Sequence, residues 1–434
     1  MQALHSSIKQ PLQKSRKKKK RINPLGVNEG RQRKYRICRV STVPWLFHTL
    51  LLEQLRSIVL QGGDLTLVSS PEKELWKTAA DIGAKAYGIP MERAPSPISD
   101  LRSFFHLWRF LRRQNFNIVH STSPKAGFLS AIASALARVP VRLHTFTGQP
   151  WVEMSGWRRC IAWACDRITA LLATKVYADS ASQKKFLIDE NVVQAQKIEV
   201  IGHGSIAGVD LRRFSPKKWG GDRRNKTRSE SGIPSKALVI VFIGRVTQDK
   251  GIVELVTAFS KLAKRNHYLH LMLVGPLEPE RDPLPPQVLL TIKNHPRIHA
   301  LGFSHSPEKF LGAADIFCLP SYREGFGSVA IEAAAMGLPV VVTRIVGLVD
   351  AVEADVTARL VPPKDAAALA MALKELAESP ELRARLGSAG RRRAAKLFNA
   401  SKVNTAVIRK YLKIWEETCS RKTFCWLKKT YLGL

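Results

Sequence analysis

The sequence contains few cysteines and no paired cysteine motif. No CxxC pair occurs, and no cysteine stands with histidine at the spacing of a zinc site. The six thiols are Cys38, Cys160, Cys165, Cys318, Cys419 and Cys425. This pattern is typical of reduced structural thiols in a cytosolic protein.

Long apolar runs are also absent. No stretch reaches the roughly 18 uninterrupted apolar residues that a membrane-spanning helix requires. The basic run KSRKKKKR is followed by the polar INPLGVNEGRQRKYR, where a secretory signal would have its apolar core. We therefore expect a cytoplasmic protein that is at most peripheral to a membrane.

Acidic residues are scarce relative to basic ones. The chain has 69 Lys and Arg against 35 Asp and Glu, a net charge of +34 at pH 7. Residues 1–39 hold 13 basic residues and one acidic residue, so +12 lies there and +22 remains for the rest. The body of the protein is therefore basic too, which favours an anionic partner: a nucleotide, a nucleic acid or a membrane surface.

Strand-like and helix-like segments alternate along most of the 434 residues. Runs such as YRICRVSTV and NIVHSTS alternate with helical patterns, and ALVIVFIGR restarts the alternation after a polar, Gly/Pro-punctuated segment at 215–236 that indicates a linker or surface loop. The alternation predicts an α/β protein with parallel sheets in two consecutive domains. A late amphipathic helix is predicted over about 400–418, with Val403, Val407, Tyr411 and Trp415 at helical spacing.

The expected domain organisation follows from these segments. We expect a basic disordered tail over 1–34, because those residues offer little to bury. A first domain then covers 35–205, a linker 206–234, a second domain 235–398, and a C-terminal helix with a basic tail 399–434.

Two cations follow a predicted strand in FIGRVTQDKG. Arg245 and Lys250 stand at the carboxyl end of that strand, where open α/β sheets bind ligands. An arginine fork and a lysine point charge suit a diphosphate. Taken alone, the pair is equally consistent with two solvated surface cations.

A glycine-bearing loop opens a helix in EGFGSVAIEAAAMG. Gly325 and Gly327, on either side of Phe326, let the backbone approach a ligand closely, and Ser328 is expected to cap the helix. The free N–H groups of such a helix start favour a phosphate.

Two glutamates frame this helix start. Glu324 stands at the mouth of the helix and Glu332 lies within it. Carboxylates accept hydrogen bonds from paired hydroxyls, so a nucleotide whose phosphates lie on the helix end would present its sugar to one glutamate and its ribose to the other. The alternative is a capped helix with one incidental glutamate.

These residues resemble a known family. The spacing Glu-x7-Glu after SYREGFG, with GRVTQDKG upstream, resembles the GT-B retaining glycosyltransferases of family 4. SPKAGFLSAIA, HTFTGQPW and GSIAGVDLRRF resemble the branch that builds bacterial surface polysaccharides and lipid-linked oligosaccharides. The resemblance covers roughly residues 35–415 and implies two Rossmann-like domains facing a cleft, with the C-terminal helix returning to the first domain.

The resemblance also implies a substrate and site roles. The donor would be a nucleoside-diphosphate sugar, uridine-linked, held by the second domain. Glu324 would meet the sugar and is expected to be catalytic, Glu332 would meet the ribose, and Arg245 and Lys250 the diphosphate. The leaving group would be stabilised electrostatically, without a metal or other cofactor.

The resemblance places the acceptor on the first domain. It would be a lipid-linked sugar at the inner face of the plasma membrane. His144 in LHTFTG matches the histidine at the family's cleft and is expected to be catalytic. His120 in IVHSTS matches a second histidine on the acceptor side. Both histidines are also consistent with ordinary polar residues at strand ends.

The sequence departs from the family pattern in two places. His120, Ser121 and Thr122 stand where the branch has His-x-His. Asp355 and Ala358 replace two turn glycines, and an alanine at positive φ would be strained. We therefore expect a remodelled loop over 353–360.

Basic and aromatic residues alternate in GWRRCIAWACDRITALLATK. The mixture is typical of helices that lie on anionic bilayers, and also of a packed helix with a solvated face. A basic nucleic-acid-binding protein is the rival from another class, but no base-reading motif supports a specific nucleic-acid partner. A sugar-nucleotide epimerase on the same scaffold is a nearer alternative.

Deleting residues 1–33 should leave the melting temperature and donor turnover unchanged, because this segment shows little that could form a core. Thermal unfolding and donor hydrolysis of the full-length and truncated chains test this. A clear drop in melting temperature would show that the tail packs on the fold.

Overall fold

The computed structural model describes residues 35–280 and 282–431, with side chains up to Thr418. The basic tail predicted over 1–34 and the side chains of the final FCWLKKTYLGL lie outside the described residues.

The first sheet has seven parallel strands in the order β3-β2-β1-β4-β5-β6-β7. Its strands are β1 (Arg36–Ser41), β2 (Asp64–Ser69), β3 (Lys85–Gly88), β4 (Ile118–Thr122), β5 (Val141–Phe146), β6 (Lys175–Ala178) and β7 (Ile198–Val200). Its helices are α1 (Trp45–Thr49), α2 (Leu52–Leu60), α3 (Lys73–Ile82), α4 (Pro97–Gln114), α5 (Pro124–Leu136), α6 (Gly156–Leu172) and α7 (Ala181–Asp189). A short 3-10 helix, Pro150–Glu153, precedes α6.

The second sheet has six parallel strands in the order β10-β9-β8-β11-β12-β13. Its strands are β8 (Leu238–Ile243), β9 (Leu269–Val274), β10 (Ile298–Gly302), β11 (Ile316–Leu319), β12 (Val340–Thr343) and β13 (Ala358–Val361). The associated helices are α8 (Pro216–Trp219), α9 (Asp222–Glu230), α10 (Ile252–Ala263), α11 (Pro286–Asn294), α12 (Pro307–Ala313), α13 (Ser328–Ala335), α14 (Leu348–Ala351), α15 (Ala366–Glu378) and α16 (Pro380–Leu397).

Both sheets have the doubly wound order, in which the strand sequence reverses beside the first strand. The central strands are apolar on both faces because helices cover both sides of each sheet; β9 and β11, for example, are buried along their whole length. The α/β prediction with two Rossmann-like units is confirmed, and the loops after the strands carry the candidate site.

The C-terminal helix α17 (Ala400–Tyr431) returns to the first sheet, as expected. Val403, Val407 and Tyr411 are buried, and Tyr411 and Val407 join the core formed with β1, α2 and β2. The Tyr411 hydroxyl accepts a hydrogen bond from Arg39 at 2.6 Å. The helical spacing of these three residues in the sequence therefore correctly predicted the buried face of α17.

The segment 215–236 differs from the expected linker or surface loop. It contains α8 and α9, and α9 packs on α12. Arg228 is 2% exposed and donates to the carbonyls of Ala313 and Ala237 and to Asp315. The polar composition concealed a helix with one buried face, because an arginine with enough acceptors can be buried. The outer domain boundaries stay a prediction.

Candidate active site

The loop 320–327 joins β11 to α13 and carries the first glutamate of the motif. The Glu324 carboxylate accepts a hydrogen bond from Lys250 at 2.5 Å and one from the Ser321 hydroxyl at 2.9 Å. Lys250 lies in the turn after β8, so the parallel order brings two neighbouring strand ends together. The sequence placed both residues at this site, but it did not indicate their direct ion pair.

Arg245 is also paired within the protein. Its guanidinium lies 3.0 Å from Asp249 and 3.3 Å from Glu278. Asp249 in turn lies 3.4 Å from Arg323. Both predicted diphosphate cations therefore have carboxylate neighbours, and an anionic ligand would have to share or replace those neighbours.

The start of α13 differs from the predicted cap. Gly327, with φ +76°, occupies the N-cap position, and Ser328 is the first helical residue. No side chain caps this helix end. The expectation that Ser328 caps the helix is therefore wrong, and the backbone N–H groups at this end have no side-chain acceptor.

Phe326 is buried, although it lies between the two loop glycines. Its ring packs against Phe398 at 5.2 Å between centroids and lies beside Gly204. Only the backbone of Phe326 is therefore available to a ligand, and its side chain anchors the loop in the core.

The Glu332 carboxylate has no hydrogen bond or ion pair among the described residues. Burial raises the pKa of its carboxyl to about 7, while the charge of Arg213 lowers it and that of Glu308 raises it. Arg213 and Glu308 are themselves paired at 2.9 Å. The helix thus holds a partly exposed carboxylate, with a charged pair nearby and no hydrogen-bond donor from the described residues.

His144 does not lie on the cleft surface where the resemblance placed it. The residue is 2% exposed, and its ring lies beneath α5, where a Cβ on Gly127 would come within 2.4 Å of it. Its Nδ1 lies 2.9 Å from the Ser121 hydroxyl. Burial lowers the pKa of His144 to about 3, so its imidazole is neutral near pH 7. The ring occupies the interior because β5 extends past it to Phe146.

His120 lies on the opposite face of the same sheet. It is buried in β4, and its ring nitrogens contact Arg39, Tyr411 and Thr145. Burial and the neighbouring Arg39 hold the pKa of His120 well below its usual value. The structure therefore places neither histidine at a strand end, and their proposed roles stay predictions.

The first-domain segment that does reach the glutamate loop is Thr147–Gly148, immediately after β5. A Cβ on Gly325 would lie 2.3 Å from the Thr147 carbonyl oxygen, so the two backbones are in direct contact. Sequence reasoning missed this segment, although Thr147 is three residues from His144. Gly148, just after the end of β5, was the feature of the sequence that could have indicated a close backbone approach here.

The loop at 353–360 adopts a simpler structure than expected. Asp355 alone takes the left-handed conformation, with φ +61°, and its N–H donates to the Ala358 carbonyl. Ala358 begins β13 and is buried. The expected strain at Ala358 is therefore wrong, because an aspartate supplies the turn conformation.

Two Rossmann-like units, a glycine-bearing loop where they touch and the Glu-x7-Glu motif that begins in this loop define a GT-B enzyme fold. The chain matches two family models: "Glycosyl transferase 4-like domain" over residues 48–204 and "Glycosyl transferases group 1" over residues 223–393. It belongs to the glycosyltransferases, and the resemblance inferred from the motifs is confirmed.

Relatives of known name support this membership. The chain is 29% identical over 351 residues to the capsular polysaccharide biosynthesis glycosyltransferase CapM of Staphylococcus aureus, covering 81% of this chain and 90% of the relative. It is 27% identical over 321 residues to the UDP-Gal:alpha-D-GlcNAc-diphosphoundecaprenol alpha-1,3-galactosyltransferase of Escherichia coli, covering 72% and 80%. The structure of Anabaena Alr3699/HepE in complex with UDP and glucose shares the fold, with a TM-score of 0.72, 18% identity and coverage of 86% and 98%.

Replacing Glu332 by Gln should remove a pH dependence of stability. Because burial raises the pKa of Glu332 to about 7, the folded state keeps a proton that the unfolded state releases above its ordinary value of 4.5. The stabilising contribution is therefore complete below about pH 4.5 and is lost as the pH rises through 7. The loss amounts to about 3 kcal/mol at most.

Urea unfolding of wild type and Glu332→Gln at about pH 4.5 and about pH 8 measures this difference. Glu92→Gln, at an exposed position, is the matched control. If the free energy of unfolding changed equally between the two pH values in all three proteins, the Glu332 carboxyl would not retain its proton in the folded state.

Proposed function

We propose that this glycosyltransferase is a retaining enzyme that moves a sugar from a uridine-linked nucleoside-diphosphate donor to a lipid-linked sugar acceptor in bacterial polysaccharide or glycan biosynthesis. The observation that carries the proposal is the pair of motif glutamates in different surroundings. Glu324 is ion-paired at the loop, and Glu332 has no hydrogen-bond donor among the described residues.

Each glutamate suits a different part of the donor. Glu332 would accept hydrogen bonds from the ribose hydroxyls, because a partly buried carboxylate without protein donors is stabilised by the donors of a ligand. Glu324 lies at the helix mouth, where the transferred sugar would stand. The uncapped start of α13 between them suits the diphosphate.

Arg245 and Lys250 would stabilise the leaving diphosphate. Each is paired with a carboxylate in the protein, so donor binding exchanges one anionic neighbour for another. Charge developing on the leaving group is thereby met by fixed cations, and the step uses no metal ion or other cofactor. The retaining outcome is carried over from the family resemblance.

The donor and acceptor classes rest on the relatives. The Escherichia coli relative is named for a UDP-linked sugar and a diphosphoundecaprenol-linked acceptor, and the Anabaena neighbour was solved with UDP. The Staphylococcus aureus relative is named for capsular polysaccharide biosynthesis. A lipid-linked acceptor requires the enzyme to reach a membrane surface.

One face of the first domain suits such a surface. No described helix combines the length and apolar character needed to cross a bilayer. On α6, Trp157, Ile161 and Leu171 are 69%, 55% and 61% exposed beside Arg158 and Arg159. On α4, which packs on the other side of α5, three further apolar side chains are exposed, namely Ile98, Leu101 and Phe105.

Exposed apolar side chains among cations are the composition of interfacial helices. We therefore propose peripheral binding of the α4–α6 face to anionic lipid at the inner side of the plasma membrane. Specific nucleic-acid binding is not part of the proposal.

The substitutions Glu332→Gln and Glu324→Gln should affect different properties, the first nucleotide binding and the second turnover. At about pH 8, where the Glu332 carboxyl with its pKa of about 7 is ionised, Glu332→Gln removes the charge that the ribose hydroxyls meet, so bare UDP should bind more weakly by roughly 1–3 kcal/mol. Glu324→Gln should leave UDP binding nearly intact and lower turnover of the sugar nucleotide. Calorimetric titration with UDP and hydrolysis of a panel of UDP-sugars separate the two effects, with Glu92→Gln as control.

If both variants bind UDP and turn over donor like wild type, the motif is only a helix start. The proposed use of the glutamates then fails.

The protein without residues 1–33 should bind anionic vesicles, and less strongly at high salt, because exposed charges are screened. The double substitution Trp157→Asp and Ile161→Asp should weaken binding, since it removes exposed apolar area from α6. Vesicle sedimentation measures both effects. Met371→Asp, at a 73% exposed position on α15, is the control. Vesicle binding that does not change with salt concentration, or no binding at all, would contradict the proposed electrostatic attraction to the membrane.

A further inference from the structure

A pair of polar side chains links the two domains beside the glutamate loop. Ser182, in the first turn of α7, belongs to the first domain, and Asp350, on α14, belongs to the second. The Asp350 carboxylate accepts hydrogen bonds from both the Ser182 hydroxyl and the Ser182 N–H, the latter at 3.0 Å. The Ser182 hydroxyl also accepts a bond from the Gly347 N–H at 2.8 Å.

Each of the two residues accepts a hydrogen bond from a backbone N–H at the start of the other residue's helix, α7 or α14. Asp350 supplies an acceptor to one of the free N–H groups of α7, whose N-terminus favours a negative charge. Ser182 supplies an acceptor to the N–H just before α14. Asp350 is itself held in place, because its carbonyl accepts a hydrogen bond from Arg393 at 3.0 Å. The interaction therefore joins two ordered elements and not two mobile side chains.

The second-domain end of this contact lies directly against the glutamate loop. A Cβ on Gly347 would lie 2.5 Å from the Gly325 carbonyl oxygen and 2.9 Å from that of Glu324. A Cβ on Gly327 would lie 2.3 Å from the Leu348 side chain. Any shift of the turn 347–348 must therefore move the backbone that carries Glu324.

We infer that Ser182 and Asp350 are positioning residues for sugar transfer: their interdomain hydrogen bonds hold the turn at Gly347 and thereby fix the loop of Glu324 against the first domain. Neither side chain needs to touch the donor. Loss of the pair should loosen the Glu324 loop while leaving α13 and Glu332, inside the second domain, in place.

The inference predicts a separation between nucleotide binding and turnover. Ser182→Ala and Asp350→Asn should lower kcat for the UDP-sugar that wild type turns over fastest by roughly ten-fold or more, as expected for a lost hydrogen bond to a charged group. Affinity for bare UDP should fall by much less than kcat, because Glu332 and the body of α13 stay in place although the turn also packs on Gly327 at the helix start. Ser182→Thr keeps the hydroxyl and should restore most of the lost rate.

A double-mutant cycle tests whether the two residues act through one contact. Because each substitution breaks bonds shared with the other residue, the double variant should be little slower than either single variant. Ser229→Ala and Asp81→Asn are matched controls at exposed positions without side-chain hydrogen bonds among the described residues.

Hydrogen exchange gives a readout that is independent of activity. In both variants, peptides covering 147–149 and 324–327 should exchange faster than in wild type and in the controls, and peptides from α13 should not. This assay needs no donor. If no UDP-sugar is turned over by wild type, the proposed donor fails while the exchange result still decides the inference.

The inference is overturned by either of two results. Exchange and kcat that match the controls would make the pair an incidental contact. A fall in UDP affinity as large as the fall in kcat would show that the pair supports nucleotide binding and does not position the loop.

Discussion

The candidate site depends on a close approach of three backbone segments that leaves no room for side chains. Thr147–Gly148 of the first domain, Gly325 of the glutamate loop and Gly347 of the second domain meet here. A Cβ on Gly325 would lie 2.3 Å from one neighbour, and a Cβ on Gly347 would lie 2.5 Å from another. Glycine permits this approach. The position of Glu324 is therefore set by backbone packing on both sides, and its ion pair with Lys250 is formed on that frame.

The electrostatics of the site differ from those of the whole chain. The protein carries a net charge of +34, yet the cations of the site are paired: Lys250 with Glu324, and Arg245 with Asp249 and Glu278. The side chains of these pairs are only 15–24% exposed, so a diphosphate that binds here would have to replace carboxylates that already neutralise the cations. The surplus positive charge is then available elsewhere, including the exposed arginines beside the apolar residues of α6.

The sequence predicted the strands well because buried parallel strands read as short apolar runs. It predicted α17 from the spacing of Val407 and Tyr411, which are buried. It could not predict how far β4 and β5 extend, so His120 and His144 were expected at strand ends and lie inside, on opposite faces. The buried face of α9 was hidden by its charges, because the acceptors of Arg228 come from segments about 80 residues away as well as nearby. Contacts such as Ser182–Asp350 are tertiary and leave no local pattern.

The two glutamates, eight residues apart, lie on segments that differ in their packing: the loop of Glu324 contacts the first domain, and the helix of Glu332 packs within the second. Between them, Phe326 packs against Phe398, beside the place where the chain crosses twice between the domains. There the Val209 N–H donates to the Phe398 carbonyl and the Ala400 N–H donates to the Val209 carbonyl. The loop is thus anchored at the crossing through Phe326, and the neighbouring Gly325 packs against the Thr147–Gly148 backbone of the first domain. Glu332 lies on a helix packed within the second domain. A relative motion of the domains about the crossing would therefore disturb the packing of the loop against Thr147–Gly148. Lys250 and Ser321, which bond the Glu324 carboxylate, lie in the second domain and would move with it. The packing of α13 around Glu332 lies within the second domain, which separates the segment proposed to meet the sugar from the segment proposed to hold the nucleotide.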